Sequence, residues 1–366
     1  MPIMKTAIKL IILLLILVVL ILYIFNIPDN RNQLNVSHDN VSGNSVKNFL
    51  NNVSNSSTSI YVHPGESIQR KLNNASADDI IVVYPGLYME NLVVNKSLVI
   101  MSKPGELTET VIEAADPGSD IFYVTADNVT ISGFNVKGAN GGINFKGSNG
   151  IIYGNKLTSN EYGICLSKTH NNIVENNSAS QNGDGIYLSD SSSNILENNE
   201  INNSSYGIRL KNSTDNELIF NTAESIKQYS LYLRNSSNNS LYYNRVSPGI
   251  GAENGICLEN SDYNSLVSNN VSNNWEGIHL SSSSNNELSK NVVLNNYFSI
   301  ELLDSNNNEL LDNTVSSGRY SWEIILSNSR NNILKGNKAH LFVASKVYSG
   351  TNSTNNTIEG SVAKKL

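Results

Sequence analysis

The sequence predicts an all-β protein: a single-stranded right-handed parallel β-helix of about eleven coils, with one N-terminal transmembrane helix before it. Two features of the second half predict the solenoid. A four-residue phrase recurs at intervals of 22 to 25 residues, and fixed Asn columns lie between its copies. An uninterrupted apolar run near the N-terminus predicts the membrane helix.

The repeated phrase consists of a small residue, an aliphatic residue, a variable residue and Leu. Its copies are Gly163–Leu166, Gly185–Leu188, Gly207–Leu210, Ser230–Leu233, Gly255–Leu258, Gly277–Leu280 and Ser299–Leu302, with Glu323–Leu326 as a degenerate last copy. Asn occupies the sixth position after each phrase-ending Leu, at Asn172, Asn194, Asn216, Asn239, Asn264, Asn286, Asn308 and Asn332. Asn also occupies the eleventh position, at Asn177, Asn199, Asn221, Asn244, Asn269, Asn291, Asn313 and Asn337. Aliphatic residues fill the eighth and thirteenth positions, so four columns align.

Each repeat has stretches of three to five residues between turn residues, which suits short strands and is too short for helices. One coil cannot close a core alone. Successive coils must therefore stack, so that each strand pairs in parallel with its counterpart one coil away. The chirality of parallel crossovers makes the winding right-handed. We expect the Asn columns at the corners, where Asn tolerates the left-handed conformation and stacked amides can bond along the ladder.

The region before the strict repeats is expected to have the same architecture in looser copies. Strand-like runs occur at Ile80–Val83, Leu92–Val94, Leu98–Met101, Val111–Ile112, Ile121–Val124, Val129–Ile131 and Ile143–Phe145. A short amphipathic helix with Ser67 as its N-cap is expected to cover the first coil. The polar tail Thr351–Ser361 is expected to be irregular and to cap the other end.

The chain is expected to divide into four parts. Residues 1–9 form a cytoplasmic stub, residues 10–27 a transmembrane signal anchor, residues 28–59 an Asn- and Ser-rich linker, and residues 60–366 the β-helix domain. Lys5 and Lys9 place the N-terminus in the cytoplasm and the β-helix at the cell surface. A cleaved signal peptide is the alternative, although no small residue for cleavage occurs from Val19 to Asn35. Both interpretations export the protein, and its Asn-x-Ser/Thr sequons are then potential glycan acceptors.

The variable position of the phrase points away from the core and builds a ladder on the outside of the solenoid. Candidate ligand-binding residues in this ladder are Tyr187, Arg209, Tyr232, His279 and Glu301. The residue before the phrase forms a second stripe, with candidates Tyr206, Tyr229 and Trp322. Aromatic rings stack on sugar rings and Arg pairs with carboxylates, so this face suits an acidic sugar chain.

Two groups of motifs resemble known families. Gly65–Gln69 and Ile80–Asn91 resemble the start of pectin-lyase-like β-helix proteins. The Gly-Ile-x-Leu coils with their Asn columns resemble the periplasmic copper-binding, NosD-like β-helix family, whose repeats are common in surface proteins of methanogenic archaea. The resemblance covers roughly residues 60–345. It implies the fold but no single activity, because this fold includes lyases, hydrolases, epimerases and adhesive proteins.

The resemblance to a copper-binding family raises the question whether this chain has residues that could bind copper. The five His include no His-x-His pair, and no Met-rich cluster occurs. Cys165 and Cys257 share a column but lie four coils apart, roughly 19 Å, too far for a disulfide or a shared metal. We expect both to be small outward-facing residues, and we expect no metal site and no cofactor.

Three kinds of function remain open. Binding of envelope polysaccharide or glycan is one, and a structural or adhesive role beside surface-layer proteins is another. The alternative is a lyase, epimerase or hydrolase for acidic sugars, with His279 as base and Glu301 as its orienter, and copper handling is a remote alternative. We assign no catalytic residue, because exposed sheets favour Tyr, Arg and Glu through fit alone. A net charge of −7 without a basic run argues against nucleic acid as a partner.

Overall fold

Short segments separated by polar turn residues wind into a right-handed parallel β-solenoid. The structure is a computed structural model, and it describes residues 59–103, 109–247, 254–317, 323–339, 346–350, 352–360 and 362–365. Within these ranges three parallel sheets run along the solenoid. Sheet A has 14 strands, sheet B has 12 and sheet C has 13, which makes about twelve coils, one more than expected.

The three sheets take their strands in rotation along the chain. Sheet A consists of β1 (Ile60–Val62), β2 (Ile80–Val83), β5 (Val99–Ser102), β8 (Thr130–Ser132), β11 (Ile151–Tyr153), β14 (Ile173–Glu175), β17 (Ile195–Glu197), β20 (Glu217–Ile219), β23 (Ser240–Tyr242), β26 (Ser265–Val267), β29 (Glu287–Ser289), β32 (Glu309–Leu311), β35 (Ile333–Lys335) and β38 (Thr357–Glu359). Sheet B consists of β3 (Gly86–Met89), β6 (Thr110–Glu113), β9 (Asn135–Lys137), β12 (Lys156–Thr158), β15 (Ser178–Ser180), β18 (Glu200–Asn202), β21 (Thr222–Glu224), β24 (Arg245–Ser247), β27 (Asn270–Ser272), β30 (Val292–Asn296), β33 (Thr314–Ser317) and β36 (Lys338–Ala339). Sheet C consists of β4 (Leu92–Val94), β7 (Phe122–Val124), β10 (Gly141–Phe145), β13 (Tyr162–Ser167), β16 (Asp184–Ser189), β19 (Tyr206–Lys211), β22 (Tyr229–Arg234), β25 (Asn254–Glu259), β28 (Glu276–Ser281), β31 (Phe298–Leu303), β34 (Ile324–Ser327), β37 (Lys346–Ser349) and β39 (Val362–Lys365). All seven expected strand-like runs of the first part are strands, with ends shifted by at most two residues.

The apolar columns pile up in register, as predicted. Leu166, Leu188, Leu210 and Leu233 lie opposite one another on consecutive strands of sheet C, and all four are fully buried. Each fully buried aliphatic side chain contributes about 1.5–3 kcal/mol. Each coil is therefore stabilised mainly by contacts with the coils on either side of it, and less by contacts within the coil.

The small residue of the phrase is required by close contact between coils. A Cβ on Gly207 would collide with the carbonyl oxygen of Ser230 on the next coil, and one on Gly277 would lie 2.6 Å from the carbonyl oxygen of Ser299. Ser230 and Ser299 show that a small side chain can still be accommodated at some coils. Their hydroxyl groups are buried there without a hydrogen-bond partner.

Both Asn columns form hydrogen-bonded ladders inside the corners. Asn199 shows the pattern: its Nδ2 donates to Oδ1 of Asn221 on the next coil (2.9 Å) and to the carbonyl oxygen of Val174 on the preceding one (2.8 Å). The backbone N–H of Asn199 donates to the same Oδ1 of Asn221 at 3.0 Å. The amides thus pair backbone groups that the turning chain would otherwise leave buried and unpaired.

The structure corrects one expectation about these corners. The left-handed residue is not the ladder Asn but the residue directly before it, with φ of +53° at Asn198 and +54° at Phe220. Since any side chain at that position points outward, its identity varies from coil to coil. Asn is needed at the next position for its inward amide.

A third ladder, absent from our sequence analysis, runs through hydroxyl side chains at the other corner. The backbone N–H of Ser191 donates to Oγ of Ser213 at 3.1 Å, and that of Ser213 to Oγ of Ser236 at 3.1 Å. The column is Thr169, Ser191, Ser213, Ser236, Ser261, Ser283, Ser305 and Ser329. The sequence contains a signal for this ladder, because Ser or Thr occupies the third position after each phrase-ending Leu.

A short helix, α1 (Ile68–Asn74), covers the first coil, as predicted. Ser67 is its N-cap, and the Ser67 hydroxyl accepts a hydrogen bond from the backbone N–H of Arg70 at 3.1 Å. Ile68 and Leu72 are buried against the solenoid. The carboxylate of Glu90 accepts from the backbone N–H of Ile68 at 2.8 Å, which ties the helix start to the next coil.

The C-terminal tail corrects a second expectation. It continues the solenoid instead of forming an irregular cap, because β38 pairs with β35 and β39 with β37. Glu323–Leu326 is not the last copy either, since β34 pairs with β37. Ser353 extends the hydroxyl ladder by accepting from the backbone N–H of Ser329 at 3.1 Å.

The predicted transmembrane segment 10–27, the stub 1–9 and all but the last residue of the linker 28–59 lie outside the described residues. Among the described residues, none of the helices has the length and apolar character needed to cross a bilayer.

Candidate functional site

The variable column of the phrase forms one continuous register on the outside of sheet C. Tyr187, Arg209 and Tyr232 occupy three consecutive strands, and Cys257, His279 and Glu301 occupy the next three. The residue before each phrase is also in register. We call this surface the sheet C face and define it by Tyr162, Asp184, Tyr187, Tyr206, Arg209, Tyr229, Tyr232, Glu276, His279, Phe298 and Glu301.

Arg209 lies between two tyrosine rings of the sheet C face. Its guanidinium carbon is 4.3 Å from the ring centroid of Tyr187 and 4.7 Å from that of Tyr206. Its Nη2 forms a salt bridge with the carboxylate of Asp184, whose side chain is 4% exposed. Burial raises the pKa of Asp184 to about 6, although the charge of Arg209 and its hydrogen bond oppose that rise. The guanidinium is thereby held in place: its Nη2 pairs with Asp184, its Nε is buried without a hydrogen-bond partner, and the side chain keeps 26% of its surface exposed.

Two further tyrosines, Tyr229 and Tyr232, continue the aromatic surface. The ring centroids of Tyr206 and Tyr229 are 5.9 Å apart, and those of Tyr229 and Tyr232 are 4.6 Å apart, both in stacked geometry. The hydroxyl of Tyr232 donates to the carboxylate of Glu259, and burial, reinforced by Glu259, raises the pKa of Tyr232. Sequence analysis predicted the tyrosines but not Glu259, which lies two residues beyond the variable position on the same side of its strand.

The two cysteines correct an expectation. Both lie in the outward column, yet Cys165 is 9% and Cys257 is 5% exposed. Cys257 lies between Tyr232 and His279 in register, and these larger side chains cover it. Burial raises the pKa of Cys165 to about 12 and also raises that of Cys257, so both thiols are protonated at neutral pH.

His279 lies between two carboxylates. Its Nδ1 is 3.1 Å from Oε2 of Glu276 and 3.4 Å from Oε2 of Glu301, and the three side chains are only 14%, 17% and 19% exposed, in that order. Burial alone would lower the pKa of His279, but contact with Glu301 and the charge of Glu276 outweigh it and raise the pKa. Burial raises the pKa of Glu276. The pairing of His279 with Glu301 was predicted from the sequence, whereas Glu276 was not among the predicted site residues.

An exposed aromatic pair borders this cluster. The rings of Trp275 and Tyr297 stack with centroids 4.1 Å apart and planes 7° from parallel, and the residues are 52% and 45% exposed. The ring of Phe298 meets Tyr297 edge-on at 4.7 Å. The sequence analysis did not single out this pair, because the position two residues before the phrase is aromatic at only these coils. The candidate Trp322 lies outside the described residues.

Comparison with protein families matches nearly the whole solenoid. Residues 72–249 match the family of the periplasmic copper-binding protein (NosD), and residues 202–339 and 254–365 match the right handed beta helix region. A cell surface glycoprotein of Methanothermus fervidus is 33% identical over 97 residues, which are 26% of this chain. The match spans only 16% of that relative's length.

Solved structures share the fold at low sequence identity. The mannuronan C-5 epimerase A-module of Azotobacter vinelandii has a TM-score of 0.61 at 17% identity, over 82% of this chain and 92% of that one. A DFA-IIIase from Arthrobacter chlorophenolicus A6 has a TM-score of 0.57 at 14% identity, over 84% of this chain and 97% of that one. The Dettilon tailspike protein has a TM-score of 0.54 at 15% identity, over 89% of this chain and 72% of that one. These likenesses show the fold alone.

The cluster of Glu276, His279 and Glu301 does not have the donor set of a copper(I) site. Copper(I) prefers thiolate and thioether ligands. The cluster of Glu276, His279 and Glu301 offers one imidazole nitrogen and two carboxylate oxygens within 4.8 Å of one another, and no sulfur atom belongs to it. The neighbouring Cys257 is a buried, protonated thiol. The donor set therefore suits a harder ion.

Proposed function

We propose that this chain, whose coils match the NosD family over residues 72–249 and the right handed beta helix region over residues 202–365, is a membrane-anchored protein of the cell envelope whose sheet C face binds an acidic polysaccharide or glycan. In this proposal residues 1–9 are cytoplasmic, 10–27 span the membrane, 28–59 are the linker and the β-helix of 60–366 lies outside. The related surface glycoprotein supports the location.

The observation that carries the binding proposal is the fixed position of Arg209 within an aromatic surface. Tyr187 and Tyr206 both contact the guanidinium, and Tyr229 and Tyr232 extend the aromatic surface on the next coil. Tyrosine rings offer faces for sugar rings, and the free N–H donors of Arg209 suit a sugar carboxylate. Trp275 and Tyr297 add a second aromatic patch. This patch lies at β28, three strands beyond Arg209 on β19 and roughly 14 Å from it.

The membrane anchor gives the first prediction. The full chain is expected in the membrane fraction, resistant to high-salt and carbonate washes, because residues 10–27 are apolar throughout except for Asn26. Deletion of residues 2–27 should move the protein to the soluble fraction. A full chain that is recovered in the wash would refute the anchor.

The binding face gives the second prediction. Arg209→Ala should weaken retention on an immobilised polyuronate by about tenfold or more, because a charge-assisted contact is worth about 1.5–3 kcal/mol. Retention is measured by affinity electrophoresis in EDTA, with a neutral polysaccharide as the reference. Arg245→Ala is the matched control: this arginine is 65% exposed and is ion-paired with Glu224 on sheet B. Equal losses in both variants would mean non-specific charge attraction.

A structural or adhesive role is the second candidate. The heavy repetition of the ladders and the similarity to a surface glycoprotein favour it. It predicts no retention of the unaltered protein on any polysaccharide, so the same experiment separates the two functions. Hydrolysis, elimination or epimerisation of acidic sugars remains an alternative for His279 and Glu301, tested by product release from the same polyuronate.

A further inference from the structure

We propose that Glu276, His279 and Glu301 form a binding site for one divalent metal ion of the zinc class on the sheet C face. This inference does not rest on glycan binding. It starts from three ligand atoms that two adjacent strands bring together. Glu276 and His279 are on β28, and Glu301 lies beside His279 on β31.

The spacing of the ligand atoms fits an ion. A zinc-class ion binds nitrogen and oxygen at about 2.0–2.2 Å, so neighbouring ligands in tetrahedral or octahedral geometry are roughly 3.0–3.4 Å apart. Nδ1 of His279 lies 3.1 Å from Oε2 of Glu276 and 3.4 Å from Oε2 of Glu301. Nδ1 is also buried and makes no hydrogen bond of acceptable angle with either oxygen. In the neutral imidazole with its proton on Nε2, the lone pair of Nδ1 can face a common ion.

The charges of the cluster favour a dication. Within the described ranges, neither Glu276 nor Glu301 forms a salt bridge with Lys or Arg, and both side chains are more than four-fifths buried. Two carboxylates beside one imidazole keep a net negative charge even if the imidazole is protonated. Burying an uncompensated charge is costly, and a divalent ion between the two carboxylates would neutralise them.

The ligand types narrow the choice of ion. One imidazole and two carboxylates match the mixed nitrogen and oxygen sets that bind Zn²⁺ or Mn²⁺, whereas Ca²⁺ prefers six to eight oxygens. Three protein ligands leave at least one coordination position open. The three side chains keep 14–19% of their surface exposed, so water or a carboxylate from solution could complete the shell.

The test measures metal binding by the purified full-length protein. After treatment with EDTA and dialysis, separate samples are titrated with Zn²⁺, Mn²⁺ and Ca²⁺ in equilibrium dialysis. We expect a Zn²⁺ site that Glu301→Gln and Glu276→Gln each weaken by about tenfold or more. Loss of a direct ligand should cost at least as much as loss of an outer-shell partner, roughly 10–100-fold. Circular dichroism checks that each variant is folded, and His279→Gln provides a third independent variant.

The matched control is the double variant Glu287→Gln, Glu309→Gln. These two carboxylates lie opposite each other on β29 and β32 of sheet A, both exposed and without a histidine in register. They should contribute nothing to Zn²⁺ affinity. Unchanged Zn²⁺ binding in Glu301→Gln, or no Zn²⁺ binding at all, would overturn the proposal and leave the three side chains as a metal-free cluster. Because polyuronate retention is measured in EDTA, either result leaves the test of Arg209 independent.

Discussion

Asn221→Ala is expected to lower the free energy of unfolding by roughly 3–5 kcal/mol, because each buried group left unpaired costs about 1–3 kcal/mol. The Asn221 Oδ1 accepts from the backbone N–H and the Nδ2 of Asn199, at 3.0 and 2.9 Å. Its Nδ2 donates to the carbonyl oxygen of Leu196 at 2.8 Å and to Oδ1 of Asn244 at 3.1 Å. The substitution therefore leaves the backbone N–H of Asn199 buried without a partner. It also removes the side-chain hydrogen bonds to Leu196, Asn244 and Nδ2 of Asn199, each worth about 0.5–1.5 kcal/mol.

Chemical denaturation followed by circular dichroism measures this loss. Asn202→Ala is the control, since Asn202 lies on the outer side of β18, only half-buried, and a surface substitution of this kind should change stability by about 0.5 kcal/mol or less. Similar losses in the two variants would show that the inner amide has no special role. A loss confined to Asn221 would support the ladder as the source of corner stability.

Glu175→Gln is expected to stabilise the protein at pH 8 by about 3 kcal/mol, the free energy that corresponds to a carboxyl pKa raised from 4.5 to about 7. Glu175 is fully buried between Tyr153 and Glu197 on the outer side of sheet A, and its Oε2 has no hydrogen-bond partner. Burial, with a smaller contribution from the charge of Glu197, raises the pKa of Glu175 to about 7. The neutral amide avoids the cost of a buried negative charge while keeping the shape of the side chain.

The sign of the pH dependence follows from the raised pKa. The folded state holds the proton of Glu175 more tightly than the unfolded chain, whose carboxyl has the ordinary value of 4.5. The favourable contribution is therefore fully present below about pH 4.5 and is lost as the pH rises through about 7. The variant should gain stability at pH 8 and match the unaltered protein near pH 4.

Unfolding curves at both pH values check this expectation. Glu287→Gln, an exposed carboxylate of the same sheet, should show no such pH-dependent gain. An unchanged or lower stability of Glu175→Gln at pH 8 would contradict the assignment of a buried, strained carboxyl.

The inner half of each coil could be predicted because packing restricts it. An inward position such as that of Leu188 has one shape available between its neighbours, so the same residue recurs and the column is visible in the sequence. The amides of the two Asn columns are restricted in the same way by the backbone groups they pair with. The number of coils and the structure of the tail were harder to predict, because the last coils no longer contain the four-residue phrase. They keep the hydrogen bonds between coils, as the bond from the backbone N–H of Ser329 to Ser353 shows.

The outer half could be predicted only in part. The alignment placed His279 beside Glu301, since both are in the variable column. Glu276 belongs to the second stripe, the residue before each phrase, and the alignment did not show that the two stripes meet at His279. In the pairing of β25 with β28, Glu276 and Ile278 have partners but Gly277 between them has none. This irregularity lets Glu276 and His279, which are three residues apart, lie on the same side of the strand. The burial of Cys257 was missed for a related reason, because exposure depends on the size of neighbours one coil away.

The amides of the Asn columns all point the same way. In each pair the Nδ2 belongs to the earlier coil and the Oδ1 to the later one, as from Asn199 to Asn221 and from Asn221 to Asn244. Their dipoles therefore add along the solenoid, and each hydrogen bond polarises the next. An amide in the middle gains from neighbours on both sides, whereas one at an end gains from a single side. Thermal opening should consequently begin at the ends of the molecule and move inward one coil at a time.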